Sequence, residues 1–197
     1  MNHYTNTNNP IDFPQTVSEI DSFINNYADM IENMTDEEYE NLGKSMLKHT
    51  KGNLLDLAEA DKFDIIVQGC NCFNTMGGGI AREIRERYPM AALVDYGTLK
   101  GDYNKLGNYT TAFTGKFLIV NAYTQFNMSQ GTDVFEYAAF QLILVKLAHE
   151  FGDKRIGLPY IGMGLAGGDP LWIMPMIEDF ADKVAKRGGT VTLVEFA

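Results

Sequence analysis

The sequence predicts an α/β fold with a mixed, mostly parallel central sheet and helices on both of its faces. Two observations lead to this class. From about residue 51 onward, short apolar and β-branched runs typical of buried strands alternate with segments typical of helices. Two glycine-rich stretches, residues 77–79 and 162–168, each follow a predicted strand and precede a predicted helix. The 197 residues are enough for one domain with a substantial core.

Residues 1–50 are expected to form an N-terminal arm and helical extension, and residues 51–197 the main domain. The first 14 residues are rich in Asn and Thr and predict a loose arm. Ser18 is expected to cap a helix that runs to Ile31. Thr35 begins a T-D-E-E capping pattern for a second helix that runs to Met46.

Strands and helices alternate along the main domain. The predicted strands are 54–57, 63–69, 109–113, 117–124, 155–160 and 190–196. The predicted helices are 80–88, 89–98, a long one from Thr132 or Asp133 to His149, and 170–187. The long helix is apolar nearly all round, which predicts deep burial. Pro175 fits poorly inside the last helix, which is expected to start late or to bend there.

Composition excludes several classes of function. A formal net charge of −10 argues against a nucleic-acid partner, which favours a basic face. No apolar run approaches the roughly 20 residues of a membrane span, so we expect a cytoplasmic protein without a membrane partner. Cys70 and Cys72 are expected to point to opposite faces of a strand, which would exclude a disulfide and a zinc pair. The three histidines are scattered, and neither a metal nor another cofactor is expected.

The paired glycine loops indicate an anion site. A strand, a glycine loop and a helix together direct unpaired backbone N–H groups and the positive end of a helix dipole at a ligand. Two such loops at the carboxyl edge of one sheet are able to hold a diphosphate between them. The alternative is that both are tight turns. The dinucleotide fingerprint G-x-G-x-x-G is absent from the first loop, as is the lysine of a P-loop, so a generic NAD or ATP site is not indicated.

Polar residues near these loops have both functional and structural interpretations. Asn71 and Asn74 lie between a strand and the glycines, where amides either bind sugar hydroxyls or cap turns. Asn53 follows Gly52, as turn residues often do. Cys70 is typical of a small core residue, and Asp169, before Pro170, of a helix N-cap.

Three segments together resemble the macrodomain family. They are KGNLL at 51–55, FDIIVQGCNCFNTMGGGIA at 63–81 and LPYIGMGLAGGD at 158–169, with NAYTQ at 121–125 and Tyr88-Pro89 in addition. More narrowly, the chain resembles the phage and yeast branch that processes ADP-ribose 1″-phosphate. The resemblance covers about residues 51–197.

This resemblance implies a three-layer α/β/α sandwich with ADP-ribose lying across one edge of the sheet. Asn53 stands where most macrodomains have an Asp that accepts from the adenine amino group, and Phe196 is the candidate for stacking on adenine. Asn71 and Tyr123 are implied near the distal ribose. The implied ligand-binding residues are Asn53, Leu54, Cys70, Asn74, Met76, Gly77, Gly78, Gly79, Ile80, Tyr123, Gly162, Met163, Gly164, Leu165, Ala166, Gly167 and Phe196.

The resemblance also implies a reaction, the hydrolysis of the terminal phosphate of ADP-ribose 1″-phosphate. The catalytic candidates are Asn71, Gln68 and Asp169, and Gln68 stands where relatives usually carry a His. Gln orients a water but carries no proton near neutral pH, which favours the alternative of a binding module without turnover. A third alternative, an ADP-ribosyl hydrolase, is weakened because Arg85 or its neighbours and Ala166 occupy the places of that mechanism's Lys and Asp.

Overall fold

A computed structural model describes residues 43–128 and 134–197, together with Ser22, Asn25, Asn33 and Thr35. The chain divides into two compact units, residues 1–44 and 45–197. Ser22 and Asn25 are helical, and most of the two predicted N-terminal helices lies outside the described residues, as do Ser18, Thr132 and Asp133. The second of these helices does not reach Met46, because residues 44–47 are not helical.

The unit of residues 45–197 is built on six strands. They are β1 (Lys48–Lys51), β2 (Ile65–Asn71), β3 (Tyr109–Phe113), β4 (Leu118–Gln125), β5 (Arg155–Pro159) and β6 (Thr190–Glu195). Their order in the sheet is β1-β6-β5-β2-β4-β3. Every neighbouring pair is parallel except β3 and β4. The predicted mixed, mostly parallel sheet is confirmed.

Helices cover both faces of this sheet. They are α1 (Leu54–Glu59), α2 (Gly79–Arg87), α3 (Pro89–Tyr96), α4 (Tyr137–Phe151) and α5 (Pro170–Ala185), with a 3₁₀ turn at Tyr103–Lys105. One apolar cluster joins α4 and α5 to the odd-numbered residues Ile65 and Val67 of β2. A second joins α1, α2 and α3 to Ile66 on the opposite face. The α/β/α class is thus confirmed.

The predicted strand at 54–57 is wrong, because these residues begin helix α1. The side-chain oxygen of Asn53 accepts from the backbone N–H groups of Leu55 and Asp56, which caps the helix. Leu54, Leu55 and Ala58 then turn one helical face into the core. The first strand is instead β1, a largely exposed edge strand without an apolar pattern.

Two further expectations about helices need correction. Helix α4 is buried on one face only, since Leu142 and Val145 are each 47% exposed. Helix α5 begins at Pro170 and continues past the exposed Pro175, so the alternative of a late start is wrong. No helix in the described ranges combines the length and the apolar character needed to cross a membrane.

The expectation that Cys70 and Cys72 point to opposite faces is wrong. Residues two apart on an extended chain share a face, and both thiols are buried in one cluster with Met76 and Tyr123. Both cysteines are free. Burial raises the pKa of both thiols, that of Cys72 to about 11.

Candidate ligand-binding site

The carboxyl ends of four parallel strands bring the predicted site segments to one edge of the sheet. Strand β2 leads into the loop of residues 72–78, and β5 leads into the loop of residues 160–169. Strand β1 leads into Asn53, and β6 leads into Phe196. This edge is where open α/β sheets bind ligands.

The first glycine loop presents bare backbone at the start of helix α2. Gly78 occupies the N-cap position of α2 but has no side chain, so no N-cap side chain accepts hydrogen bonds from the first N–H groups of the helix. Gly77, Gly78 and Gly79 are all exposed. A Cβ on Gly77 or Gly79 would meet no atom within 4 Å, and Gly79 has a left-handed φ of +52°. Ile80 is half-buried against the α1–α3 cluster.

The second glycine loop has packed ends and an exposed centre. Gly162, with φ +82°, would place a Cβ 2.4 Å from the ring of Phe135, and Gly168 would place one 2.7 Å from Ile173. Between them, a Cβ on Gly164 would meet nothing within 4 Å. The Gly167 N–H donates to the Gly164 carbonyl at 3.0 Å, and the Gly168 N–H donates to the Gly162 carbonyl at 2.9 Å.

The two loops face each other. A Cβ on Gly78 would lie 3.4 Å from Cδ1 of Leu165, whose side chain is 69% exposed. Met163 is half-buried against the α4–α5 cluster, and Ala166 is buried, with its carbonyl accepting from the Val134 N–H at 2.9 Å. The two loops therefore approach each other at Gly78 and Leu165, and both expose glycine backbone there.

Asn71 holds the first loop in shape. Its side-chain oxygen accepts from the Phe73 N–H and from the Thr75 hydroxyl, each at 2.9 Å. Its amide nitrogen donates to the Thr75 carbonyl at 2.9 Å. These three bonds leave one N–H of the amide for a ligand.

Asn74 is used entirely by the protein. Its amide nitrogen donates to the carbonyls of Asp95 and Thr98, both at 2.9 Å. Its oxygen accepts from the Lys105 ammonium and the Thr98 hydroxyl. Its backbone has a left-handed φ of +58°, which Asn tolerates better than most residues. The turn-capping interpretation fits this residue, and a ligand would have to replace one of these bonds.

Lys105 and Asp95 form a buried ion pair behind this loop. The ammonium is 3.4 Å from the Asp95 carboxylate, and the side chains are 7% and 1% exposed. The same ammonium donates to the Cys72 carbonyl at 3.3 Å and lies 4.3 Å from the centre of the Tyr123 ring. The Tyr123 hydroxyl donates to Asp95 at 2.9 Å, and burial raises its pKa. Tyr123 therefore stabilises the first loop indirectly, through its contacts with Asp95 and Lys105.

Gln68 is wholly buried on the α3 side of the sheet. Its amide nitrogen donates to Asn121 at 2.7 Å, and Asn121 in turn donates to the Ala91 carbonyl of α3 at 2.8 Å. The oxygen of Gln68 has no hydrogen-bond partner among the described residues. Met76 lies against it, with the Gln68 nitrogen 3.9 Å from the sulfur, and is 1% exposed. Gln68 and Cys70 of strand β2 and Met76 of the first loop are thus all buried.

Asp169 lies on the other side of the sheet, at the start of α5. One carboxylate oxygen accepts from the Leu171 N–H at 2.9 Å, so Asp169 is the helix N-cap. Its own N–H donates to the Tyr137 hydroxyl at 2.9 Å. Since α5 and α3 cover opposite faces, the structure does not bring Asp169 together with Gln68.

A second polar group lies beside the start of α1. The Asn53 amide nitrogen donates to both carboxylate oxygens of Glu83, at 3.0 and 3.2 Å. Arg87 donates to the same carboxylate at 2.9 Å. The Gly52 N–H donates to the Glu195 carbonyl at 2.9 Å, which places Phe196, 77% exposed, next to Asn53.

Sequence reasoning missed Lys105, Asp95 and Glu83. The buried lysine lies in a short 3₁₀ turn whose sequence, YNK, gives no sign of burial. Glu83 and Arg87 have the four-residue spacing of a helical ion pair, which signals an exposed pair and not a binding group. Among the described residues, no three His, Cys, Asp or Glu side chains are grouped so as to hold a metal ion.

Comparisons with known proteins identify a relative by sequence and several by structure. No protein-family model matches the chain. An uncharacterized 17.5 kDa protein from the tk-vs intergenic region of Enterobacteria phage T4 is 32% identical over 149 residues, or 71% of this chain and 92% of the phage protein. The macrodomain of Mycobacterium tuberculosis DarG is 19% identical, with a TM-score of 0.61 over 77% of this chain and 98% of that one. The Trypanosoma brucei macrodomain, solved in complex with ADP-ribose, is 12% identical, with a TM-score of 0.57 over 77% of this chain and 63% of that one.

The sheet, its two helical layers and the glycine loops at one edge define a macrodomain fold. With 32% identity across 92% of the phage T4 protein, the chain belongs to the same protein family as that protein.

Proposed function

We propose that the protein binds ADP-ribose, with the diphosphate held between the two glycine loops. The observation that carries this proposal is that two exposed glycine segments, centred on Gly78 and Gly164, face each other at the carboxyl edge of the sheet. Backbone N–H groups at a helix start bind phosphate oxygens without any cationic side chain. This mode is compatible with a formal net charge of −10.

The likeness to the Trypanosoma brucei macrodomain, whose structure contains ADP-ribose, supports the choice of this ligand. Within the proposed site, the diphosphate lies over Gly77, Gly78 and Gly79 on one side and over residues 164–167 on the other. The adenosine end extends toward Asn53 and Phe196, and the distal ribose lies by Asn71.

Hydrolysis of ADP-ribose 1″-phosphate is the second candidate. Asp169 favours it, because its carboxylate follows the second loop directly and uses one oxygen for capping, so the other is able to accept a proton from a water. That water would attack phosphorus, the bond from phosphorus to the ribose oxygen would break, and the ribose oxygen would take a proton. Gln68 is wholly buried and Asn71 has one free N–H, so the geometry supports binding better than turnover.

Two glycine variants test the site without disturbing the fold. Gly77→Ala and Gly164→Ala each add a methyl group that meets no atom of the described residues within 4 Å, and neither glycine has a left-handed φ. Calorimetric titration with ADP-ribose should show an affinity about tenfold to a hundredfold lower in each variant, the loss of one charge-assisted hydrogen bond. Gly97→Ala is the matched control, since its Cβ makes only ordinary contacts of 3.5 and 3.6 Å at the end of α3.

The same samples separate the two candidate activities. Phosphate release from ADP-ribose 1″-phosphate that disappears in Asp169→Asn would establish the phosphatase. Binding of ADP-ribose without phosphate release would leave a binding module. Equal affinity in wild type, Gly77→Ala and Gly164→Ala would refute the placement of the diphosphate, and no binding by wild type would refute the proposal itself.

A further inference from the structure

The oxygen of Asn53 has no capacity left for a ligand. It accepts from the Leu55 N–H at 2.8 Å and from the Asp56 N–H at 3.2 Å, and an amide oxygen has two lone pairs. Its amide nitrogen is a donor and already points to Glu83. The amino group of adenine needs an acceptor, so Asn53 in this arrangement does not supply one.

The carboxylate of Glu83 has that capacity. Its Oε1 accepts from Asn53 at 3.0 Å and from Arg87 at 2.9 Å, and its Oε2 accepts from Asn53 at 3.2 Å. A carboxylate has about four acceptor positions, so Oε2 is able to take one further N–H. Arg87 also binds Asp56 and Glu59, at 2.8 and 2.9 Å, which holds the Glu83 side chain in place from behind.

The position of Glu83 suits one end of a nucleotide. It lies four residues after Gly79 on α2, about 6 Å along the helix axis from the proposed phosphate site. Phe196 directly follows Glu195, whose carbonyl accepts from the Gly52 N–H next to Asn53, and its exposed ring offers a stacking surface. Leu54 is the first residue of α1, and the first N–H groups of a helix have no partner within it. An aromatic ring, a carboxylate acceptor and a backbone donor are what a purine with an exocyclic amino group beside a ring nitrogen requires.

We infer that Glu83 accepts the hydrogen bond from the exocyclic amino group of adenine and thereby selects adenine over 6-oxo purines. The inference rests on the proposed binding of ADP-ribose. A carboxylate repels the oxygen that hypoxanthine carries in place of the amino group, whereas Asn53 orients Glu83 and caps α1.

The test compares ADP-ribose with its hypoxanthine analogue, inosine diphosphate ribose, by calorimetry. Wild type should prefer ADP-ribose by about tenfold to a hundredfold, as expected for one hydrogen bond to a charged group. In Glu83→Gln the amide offers either an acceptor or a donor to the base, so the preference should fall to less than about threefold. Glu86→Gln is the matched control, because it removes the same charge from an exposed position of the same helix. Thermal unfolding of each variant checks that the fold is intact.

The outcomes separate this inference from the proposed function. Wild type that binds neither nucleotide would refute the proposed function. Wild type that binds ADP-ribose, with the same base preference in Glu83→Gln as in wild type, would refute only the role of Glu83. A preference lost equally in Glu86→Gln would also refute it, because the effect would then come from the charge of the helix as a whole.

Discussion

Gly162→Ala and Gly164→Ala are expected to have very different effects, although they add the same methyl group to the same loop. At Gly162 the new Cβ would lie 2.4 Å from the ring of Phe135, and the backbone φ is +82°. Carbon atoms pack at about 3.5–4.0 Å, so the ring would have to move by about 1 Å or more. Phe135 is buried, with ring centres of Tyr137 and Phe140 at 5.2 and 5.3 Å, and it has little room to do so.

The magnitude follows from two costs. A left-handed backbone costs a non-glycine residue roughly 1–2 kcal/mol, and overpacking a full core costs typically 1–3 kcal/mol. We therefore expect Gly162→Ala to lower the free energy of unfolding by about 2–5 kcal/mol. Gly164→Ala meets no atom within 4 Å and should change stability by less than about 0.5 kcal/mol.

Urea unfolding monitored by far-ultraviolet circular dichroism measures both variants. Equal stability of Gly162→Ala and wild type would refute the packing argument for the second loop. A loss of stability in Gly164→Ala as large as that in Gly162→Ala would refute the distinction between packed ends and open centre. If Gly164→Ala alone lost ADP-ribose affinity while stable, the open centre would be the ligand contact.

Three further predictions concern the polar groups around the site. Lys105→Met leaves the buried Asp95 carboxylate without its cationic partner and should lower the free energy of unfolding by about 3–5 kcal/mol, part of which a second change, Asp95→Asn, should restore. If Lys105→Met alone were as stable as wild type in urea, this prediction would be wrong. Asn53→Asp places a second carboxyl group about 3 Å from Glu83, so the pKa of the new carboxyl group should rise and the free energy of unfolding should fall as the pH increases above about 5, unless Glu83→Gln is also present. Equal differences in urea midpoint between the variant and wild type at pH 4.5 and at pH 8 would argue against this. Cys72, whose pKa is raised to about 11, should react with a thiol reagent at pH 8 only after unfolding in urea, and fast labelling of the native protein would show an accessible thiolate.

The strongly patterned elements were predictable from the sequence. Strands β2 and β4 each begin with three consecutive apolar residues, Ile65–Val67 and Leu118–Val120, and burial on both faces of the sheet explains why these runs do not alternate with polar residues. Helix α1 was not predictable, because the LLDL run of α1 is too short to distinguish a helix turn from a strand. The helical conformation is favoured by the hydrogen bond from the Leu55 N–H to the Asn53 side chain, which caps the helix and competes with extended structure. Strand β1 was not predicted, because an exposed edge strand that pairs with β6 carries no apolar pattern.

The backbone of the candidate site was predictable, whereas the interactions of its side chains were much less so. Both glycine loops were identified, but the sequence does not distinguish Gly162, which is small so that Phe135 fits, from Gly164, which faces open space. Asn74 and Tyr123 were expected to contact ligand, yet their polar atoms are committed to Asp95 and its neighbours. These hydrogen-bond partners are distant in sequence, so no local sequence pattern predicts the contacts.

The distribution of hydrogen bonds is compatible with the proposed binding of an anion by an acidic chain. The side-chain oxygen of Asn53 caps helix α1, the amide of Asn74 is fully used within the protein, and three of the four hydrogen-bonding positions of the Asn71 amide hold the first loop, so the exposed donors of the two loops are mainly glycine backbone. Backbone donors carry no formal charge, are held by the fold, and need no side-chain ordering when the ligand binds. It follows that removing these amides should reduce stability first and affinity as a consequence, whereas a methyl group on Gly77 or Gly164 should reduce affinity alone. That contrast distinguishes residues that shape the site from those that contact the ligand.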